Sequence, residues 1–66
     1  MRTREEMVVI AAEMDSEKLM RNFQDAVEKV IYAVNAYDHK CMGHTPEEWE
    51  VVVEVAREEI LRRLAK

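Results

Sequence analysis

The sequence is poor in the residues that crosslink or interrupt a chain, with one cysteine, one glycine and one proline in 66 residues. A single cysteine, Cys41, cannot form an intrachain disulfide, so nothing indicates an oxidising compartment and we expect a cytoplasmic protein. Hydrophobic residues are 48% of the chain and charged residues 36%. That balance is typical of helices with one wet and one dry face, and it argues against a disordered or all-β chain. We expect one helical domain over residues 1–66.

The chain also lacks an excess of positive charge and any long apolar run. The formal net charge is -4, so counterion release gives no general attraction to nucleic acid or anionic lipid. The apolar run from Met7 to Ala12 ends at Glu13 and is too short for a signal peptide or a bilayer span. We therefore expect no membrane association and regard nucleic acid as an unlikely partner. The initial Met1 suggests a small complete protein.

The first helix is indicated by the sequence Thr3-Arg4-Glu5-Glu6, which fits a capping box. The apolar residues that follow point nearly all round a helix, which predicts a short buried or interfacial helix over about residues 4–13. Val8 and Val9 lie off the main apolar face of this helix, and a short strand within residues 7–12 is the alternative, although no partner strand is evident.

The second helix is predicted over about residues 16–42, with Asp15 and Ser16 as N-cap side chains. Its apolar residues alternate spacings of three and four, which is the pattern of a seam that packs against another helix. The predicted seam consists of Met20, Phe23, Val27, Val30, Val34, Tyr37 and Cys41. Leu19, Ala26 and Ala33 widen it on one flank and Ile31 on the other.

The third helix has the strongest start signal, because Thr45, Pro46 and Glu48 supply an N-cap, an N1 proline and a capping-box glutamate. Gly43 suits a left-handed residue in a tight turn before it. We predict a helix over about 46–65 that runs antiparallel to the second. Its facing stripe would be Trp49, Val53, Ala56, Ile60 and Leu64, and its exposed ion pairs Glu58–Arg62 and Glu59–Arg63.

This hairpin would leave apolar surface uncovered, because the first helix is short and Val51 and Val55 point away from the facing stripe. The sequence therefore predicts a homo-oligomer, most simply a dimeric four-helix bundle with the short helices outside. A monomeric three-helix bundle is the alternative. The predicted interface residues are Met7, Ile10, Met14, Phe23, Val27, Val30, Val34, Trp49, Val51, Val52 and Val55.

The only cluster with metal-ligand chemistry is Asp38, His39, Cys41 and His44, near the turn. Asp38, Cys41 and His44 are weak candidates for a zinc site, since Gly43 interrupts the helical spacing. A thiolate at a helix C-terminus is disfavoured, so Cys41 is a poor nucleophile. We expect no metal, no cofactor and no enzymatic activity.

Charged surfaces give two further possibilities. Eight basic residues would gather at the end of the hairpin away from the turn, where neighbouring acids largely cancel them: Arg2, Arg4, Lys18, Arg21, Arg57, Arg62, Arg63 and Lys66. Glu47, Glu50, Glu54 and Glu58 form an acidic ridge that most simply keeps the third helix hydrated. Tyr32 and His39 share an outward position suited to contact with a partner.

By elimination, the sequence favours a small non-enzymatic module that binds other proteins through helix packing, such as an adaptor, inhibitor or regulatory subunit. Two alternatives remain open. One is a dimeric DNA-associated regulator that uses the basic end, and the other is a metal-responsive switch at the turn.

Overall fold

The computed structural model describes residues 2–65 and contains three helices over that range. They are α1 (Arg4–Glu13), α2 (Ser16–Asn35) and α3 (Pro46–Leu64). The predicted all-α class is confirmed, and residues 7–12 are helical rather than a strand. Between residues 2 and 65 the only β-type pairing is an isolated antiparallel bridge between Cys41 and His44.

Each helix begins where a side chain accepts a free backbone N–H of the first turn. Thr3 Oγ1 accepts from the Glu6 amide at 3.2 Å, and Thr45 Oγ1 accepts from the Glu48 amide at 3.3 Å. Both sites are complete capping boxes, as predicted. Asp15 Oδ1 accepts from the Lys18 amide at 2.8 Å, which starts α2 directly after the break predicted at this position.

The predicted C-terminal end of α2 is wrong, because the helix stops at Asn35 and Ala36 is extended. Asp38 Oδ1 then accepts from the Lys40 amide at 3.2 Å, a local bond that competes with helical hydrogen bonding. Tyr37 is fully exposed, so the predicted continuation of the seam through Tyr37 and Cys41 is also wrong. The heptad spacing there is fortuitous.

The connection reverses through a two-residue turn at Met42 and Gly43, whose φ angles are 52° and 81°. Positive φ at both central residues is characteristic of a type I′ turn. The flanking residues exchange both backbone bonds, Cys41 N–H to His44 O at 2.9 Å and His44 N–H to Cys41 O at 3.1 Å. The tight turn was predicted at Gly43, and the left-handed Met42 was not.

The face that α2 buries is rotated by about one residue from the predicted seam. Leu19, Ala26 and Ala33, expected on its flank, are the buried residues of α2. Met20 and Val34, expected at its centre, are 43% and 50% exposed. The two alanines lack bulk beyond Cβ and lie in closely packed surroundings, which allows close approach of the helices.

The third layer is α1, which packs mainly on α3 and much less on α2. Ala11 of α1, Leu19 of α2 and Val55 and Ala56 of α3 form the buried cluster. Val51 packs against it, so the prediction that Val51 and Val55 are left uncovered is wrong. The helix hairpin itself is confirmed, but its α3 side is covered by the chain's own α1.

Candidate interaction surfaces

The outer stripe is a row of apolar side chains along α2 that no other helix covers. It consists of Met20, Val27, Ile31 and Val34. Ile31 is 56% exposed, and Val27 is half-buried. Spacings of seven, four and three residues place all four side chains on one side of the helix. Met20, Val27 and Val34 belong to the predicted seam and Ile31 to its predicted flank, and all of them except the half-buried Val27 are exposed.

The register of α2 against α3 extends this stripe onto the third helix. The Ser16 hydroxyl bonds to Arg63 at 3.0 Å, while the Lys29 ammonium lies 5.0 Å from the centre of the Trp49 ring. Those pairs place Met20 near the level of Ile60 and Val27 near that of Val53. We call the outer stripe together with Val53, Ile60 and Leu64 the outer face. It is mostly apolar, but the exposed Arg57 lies four residues after Val53 on the same side of α3, and Ile60 also packs against the buried cluster.

On the opposite side of α2, a groove runs between α1 and α2 with α3 as its floor. Its volume is about 420 Å³. We call it the inner groove. Its lining is mostly apolar: Met7, Ile10, Ala11, Met14, Leu19, Ala26, Trp49, Val52, Val55 and Ala56, with Arg2, Asn22, Asp25 and Lys29 as the polar members. It exists because α1 packs on α3 and leaves a gap beside α2.

Most of the predicted interface residues lie on one of these two surfaces. Phe23, Val27 and Val30 are half-buried along α2, and Val34 lies in the outer stripe. Met7, Ile10, Met14, Trp49 and Val52 line the inner groove. Val55 also borders the groove but is 3% exposed, so the chain itself already covers it. Ile31, which the prediction treated as a flank, is among the most exposed residues of the outer face.

The end of α1 is held by Arg63 of α3. Its Nη2 donates to the Met14 carbonyl at 2.6 Å and to the Ala11 carbonyl at 3.1 Å, while Nη1 donates to Ser16 Oγ at 3.0 Å. Sequence reasoning missed this role. The available signal was that α1 ends without a glycine cap or a basic residue in its last turn, so its free carbonyls need donors from elsewhere.

The predicted pair Glu59–Arg63 is confirmed, with Arg63 Nε donating to Glu59 Oε2 at 2.9 Å. Glu59 is only 8% exposed, so this is not the wet surface pair that the sequence suggested. Hydrogen bonds from Arg63 and then Arg62 lower the pKa of the Glu59 carboxyl. The other predicted pair is wrong, because Glu58 accepts from Arg4 of α1 at 2.8 Å and Arg62 turns to Glu59.

The predicted basic end is therefore paired with acids only in part. Arg4, Arg62 and Arg63 all contact carboxylates, and Glu54 of the acidic ridge lies 3.9 Å from Arg4. Lys66, part of the predicted basic set, lies outside the described residues. Lys18, Arg21 and Arg57 are exposed. The two charged surfaces proposed from the sequence meet where Arg4 of α1 contacts Glu54 and Glu58 of α3.

The residues near the turn form a cluster around Trp49. Its indole N–H donates to the Cys41 carbonyl at 2.9 Å, Lys29 lies over the ring, and His44 packs edge-on with 5.5 Å between ring centres. Nδ1 of His44 also lies 3.4 Å from Glu48 Oε2. The backbone N–H of Thr45 is the main cause of the lowered pKa of Glu48.

This cluster does not assemble the candidate metal ligands. In the described part of the chain, no three His, Cys, Asp or Glu side chains lie together as an ion would require. Asp38, Cys41 and His44 do not converge, since Asp38 serves its own turn and His44 packs on Trp49. Tyr32 is 72% exposed, and His39 is exposed with a left-handed φ of 54°. Tyr37 and Met42 are exposed nearby.

Comparison of the chain with protein-family models, curated proteins and solved structures gave no match. Within residues 2–65, no helix combines the length and apolar character needed to cross a membrane. The described residues thus form a small three-helix protein with two apolar surfaces, the outer face and the inner groove. These two surfaces are its candidate binding sites.

Proposed function

We propose that this protein is a non-enzymatic helical interaction module that self-associates through its outer face, and that the complex serves as an adaptor, inhibitor or regulatory subunit. The observation that carries the proposal is the outer stripe. Ile31 and Val34 are 56% and 50% exposed although they belong to a heptad-like row. Such rows are typical of helices that pack against another helix. Within the described residues of a single chain, no other helix covers the outer stripe of α2.

The accessible surface area of the chain is larger than expected for a compact monomer, which supports the proposal that a second chain covers part of it. Its accessible surface is 4895 Å². A compact monomer of 7.8 kDa would expose about 4,400 Å². The excess reflects an elongated shape, 42 × 20 × 16 Å, in which two long helices lie side by side and only a short one covers them.

The outer face has a size suited to a dimer. The length of α2 is about 30 Å and two packed helices are about 20 Å wide, which gives a face of about 600 Å² in projection. Corrugated side chains make its accessible area larger than its projection. Standard interfaces bury about 800 Å² per partner. Two outer faces packed together would form a four-helix core with both α1 helices outside.

A two-fold axis makes such an interface self-complementary, since the same patch is used by both copies. The central residues Val27, Ile31 and Val34 are uncharged, so apposition of the two α2 helices brings no like charges together at these positions. The same surface would suit an amphipathic helix of another protein, which docks through apolar residues at helical spacing. Exchange between self-association and partner binding would then give the module its regulatory use.

The test is the mass of the protein in solution, measured by sedimentation velocity and light scattering from about 1 µM to about 500 µM. We expect a monomer–dimer transition in this range for the wild type. A double variant, Ile31→Lys with Val34→Lys, should stay monomeric because it places four like charges at the interface. The matched control is Val9→Lys on α1, since Val9 is 57% exposed but lies off the outer face.

Circular dichroism of the lysine variants checks that they remain helical. A wild type that stays monomeric at about 500 µM would reject self-association. If the dimer persists in the double variant but is lost in Val9→Lys, the dimer interface lies on α1 and the outer face is rejected as the interface. A melting temperature that rises with concentration in the wild type alone would support the proposal independently.

A further inference from the structure

The inner groove has the size and lining of a small-ligand site. Ligand pockets are commonly about 300–1,000 Å³ and mostly apolar, with a few polar groups that fix orientation. The inner groove measures about 420 Å³. On α2 its polar members Asn22, Asp25 and Lys29 lie on the side opposite the outer stripe, because successive residues are about 100° apart on a helix. The groove therefore stays open if the outer face is occupied.

One polar group inside the groove has a poor partner. Asn22 Nδ2 donates to the Met14 sulfur at 3.0 Å, and Asn22 is partly buried. A thioether is a weak acceptor. Met14 and Met7 are also flexible side chains that adapt to the shape of an occupant. The Met14 side chain can therefore move aside for an alkyl chain without loss of a strong hydrogen bond.

The charges of the groove lie toward one end. Met14 and Leu19 close the end where α1 turns into α2. Arg4 at the first position of α1 contacts Glu54 and Glu58 of α3, and Arg2, which lies just before α1, lines the same groove as Trp49. Lys29 lies over Trp49. Lys29 is paired with Asp25, whereas within residues 2–65 no carboxylate oxygen lies within 4.0 Å of an Arg2 nitrogen.

We propose that the inner groove binds a free single-chain fatty carboxylate, with its alkyl chain along the apolar lining and its carboxylate at Arg2. From Leu19 to Lys29 the groove follows α2 for about 15 Å. An extended chain of about twelve carbons has that length. Charge complementarity selects the head group, because Arg2 presents a guanidinium that matches a carboxylate in a bidentate geometry. This site is independent of the proposed self-association.

Trp49 reports occupancy directly, because it is the single tryptophan and it lines the groove. The probe is dodecanoate below its micellar concentration, titrated while Trp49 emission and heat of binding are recorded. We expect saturable binding of one dodecanoate per chain and a blue shift of emission. Affinity should rise with chain length from octanoate to dodecanoate by up to about fourfold per methylene. Dodecanol and dodecyltrimethylammonium serve as neutral and cationic comparisons.

The decisive variant is Arg2→Gln, matched by Arg57→Gln, which removes the same charge from an exposed position on α3. Arg2→Gln should weaken dodecanoate binding about threefold to tenfold and leave dodecanol unchanged. Arg57→Gln should change neither. The proposal is overturned if dodecanoate leaves Trp49 emission unchanged, if the cationic amphiphile binds equally well, or if both arginine variants respond alike.

Two further outcomes decide the occupant. A concentration-dependent blue shift of Trp49 without any ligand would mean that another copy of the chain fills the groove, which would reject the fatty carboxylate. Binding only to vesicles with anionic headgroups, and not to free dodecanoate, would also reject it. The Ile31→Lys/Val34→Lys variant should bind dodecanoate like the wild type. Dodecanoate binding by this variant does not depend on whether it dimerises, so the two proposals are tested separately.

Discussion

The guanidinium of Arg63 in α3 caps the end of α1, with its Nη2 donating to the Met14 carbonyl at 2.6 Å. The last carbonyls of any helix lack intrahelical donors, and at the end of α1 the Met14 N–H reaches only the Ala11 carbonyl, at 3.2 Å. Glu59 holds the same guanidinium from the other side, with Nε at 2.9 Å from Oε2. One side chain thus fixes where α1 ends and where it docks on α3.

Replacing Arg63 should loosen α1 selectively. We expect Arg63→Ala to lower the free energy of unfolding by about 1–3 kcal/mol, because several charge-assisted hydrogen bonds are lost from a partly buried group. Arg63→Lys should recover little, since one ammonium cannot reach acceptors on opposite sides. Urea denaturation measures the loss, and amide exchange should show it concentrated in α1.

The control is Arg57→Ala, which removes a cation from an exposed position on the same helix. It should change the free energy of unfolding by about 0.5 kcal/mol or less. Equal protection of α1 amides in the wild type and Arg63→Ala would show that the hydrogen bonds of Arg63 do not hold α1 in place.

Acid should destabilise the fold through Glu59. Hydrogen bonds from Arg63 and Arg62 hold the pKa of Glu59 below its ordinary value of 4.5. A depressed pKa means that the folded state favours the ionised form, so this stabilisation is full above pH 4.5 and is lost as pH falls through the folded pKa. Urea denaturation from about pH 7 to about pH 2 should show this decline.

Glu59→Gln should be less stable than the wild type at pH 7 and should approach it at the acid end. Part of the acid dependence should remain, because the Thr45 backbone N–H also lowers the pKa of Glu48. The double variant Glu48→Gln/Glu59→Gln should have the flattest profile. An unchanged slope in both variants would assign acid sensitivity to other carboxylates.

The turn should tolerate, and benefit from, Asn at residue 42. Met42 has a left-handed φ of 52° and is 76% exposed, so its side chain contributes little packing. Asn-Gly is the preferred pair for a type I′ turn. We expect Met42→Asn to raise the free energy of unfolding by about 0.5–1 kcal/mol, measured by thermal and urea denaturation.

Gly43→Ala is the opposite test of the same turn. A Cβ at Gly43 meets nothing within 4 Å, so any cost comes from its φ of 81°. We expect a loss of about 1 kcal/mol. If Met42→Asn destabilised the protein and Gly43→Ala did not, the type I′ assignment would be wrong.

Trp49 should stabilise the connection through its indole N–H as well as its bulk. Trp49→Phe removes the donor to the Cys41 carbonyl and weakens the contact with Lys29. We expect a loss of about 1–2 kcal/mol in the free energy of unfolding. Unfolding is monitored by far-ultraviolet circular dichroism, because the variant has no tryptophan fluorescence. Tyr32→Phe, at an exposed aromatic, should be neutral. Equal effects of both would show that the indole bond contributes nothing.

The local parts of this fold were readable from sequence because their causes are local. Thr3, Asp15 and Thr45 start the three helices through bonds to amides three residues away. The end of α2 was not readable from heptad spacing, since Tyr37 keeps the period and yet lies outside the helix. A spacing pattern shows where apolar residues occur along the chain, but it does not show where the helical backbone hydrogen bonds end.

What the sequence by itself determined is the number of helices, their starts and the tight reversal before α3, because capping side chains and left-handed residues act over three or four positions. Only the tertiary structure decided which face of α2 is buried, that α1 covers Val55, and that Arg63 of α3 binds the C-terminal end of α1. Those choices depend on how closely backbones approach at Ala26 and Ala33 and on which free carbonyls find a donor, and both are properties of three helices packed at once.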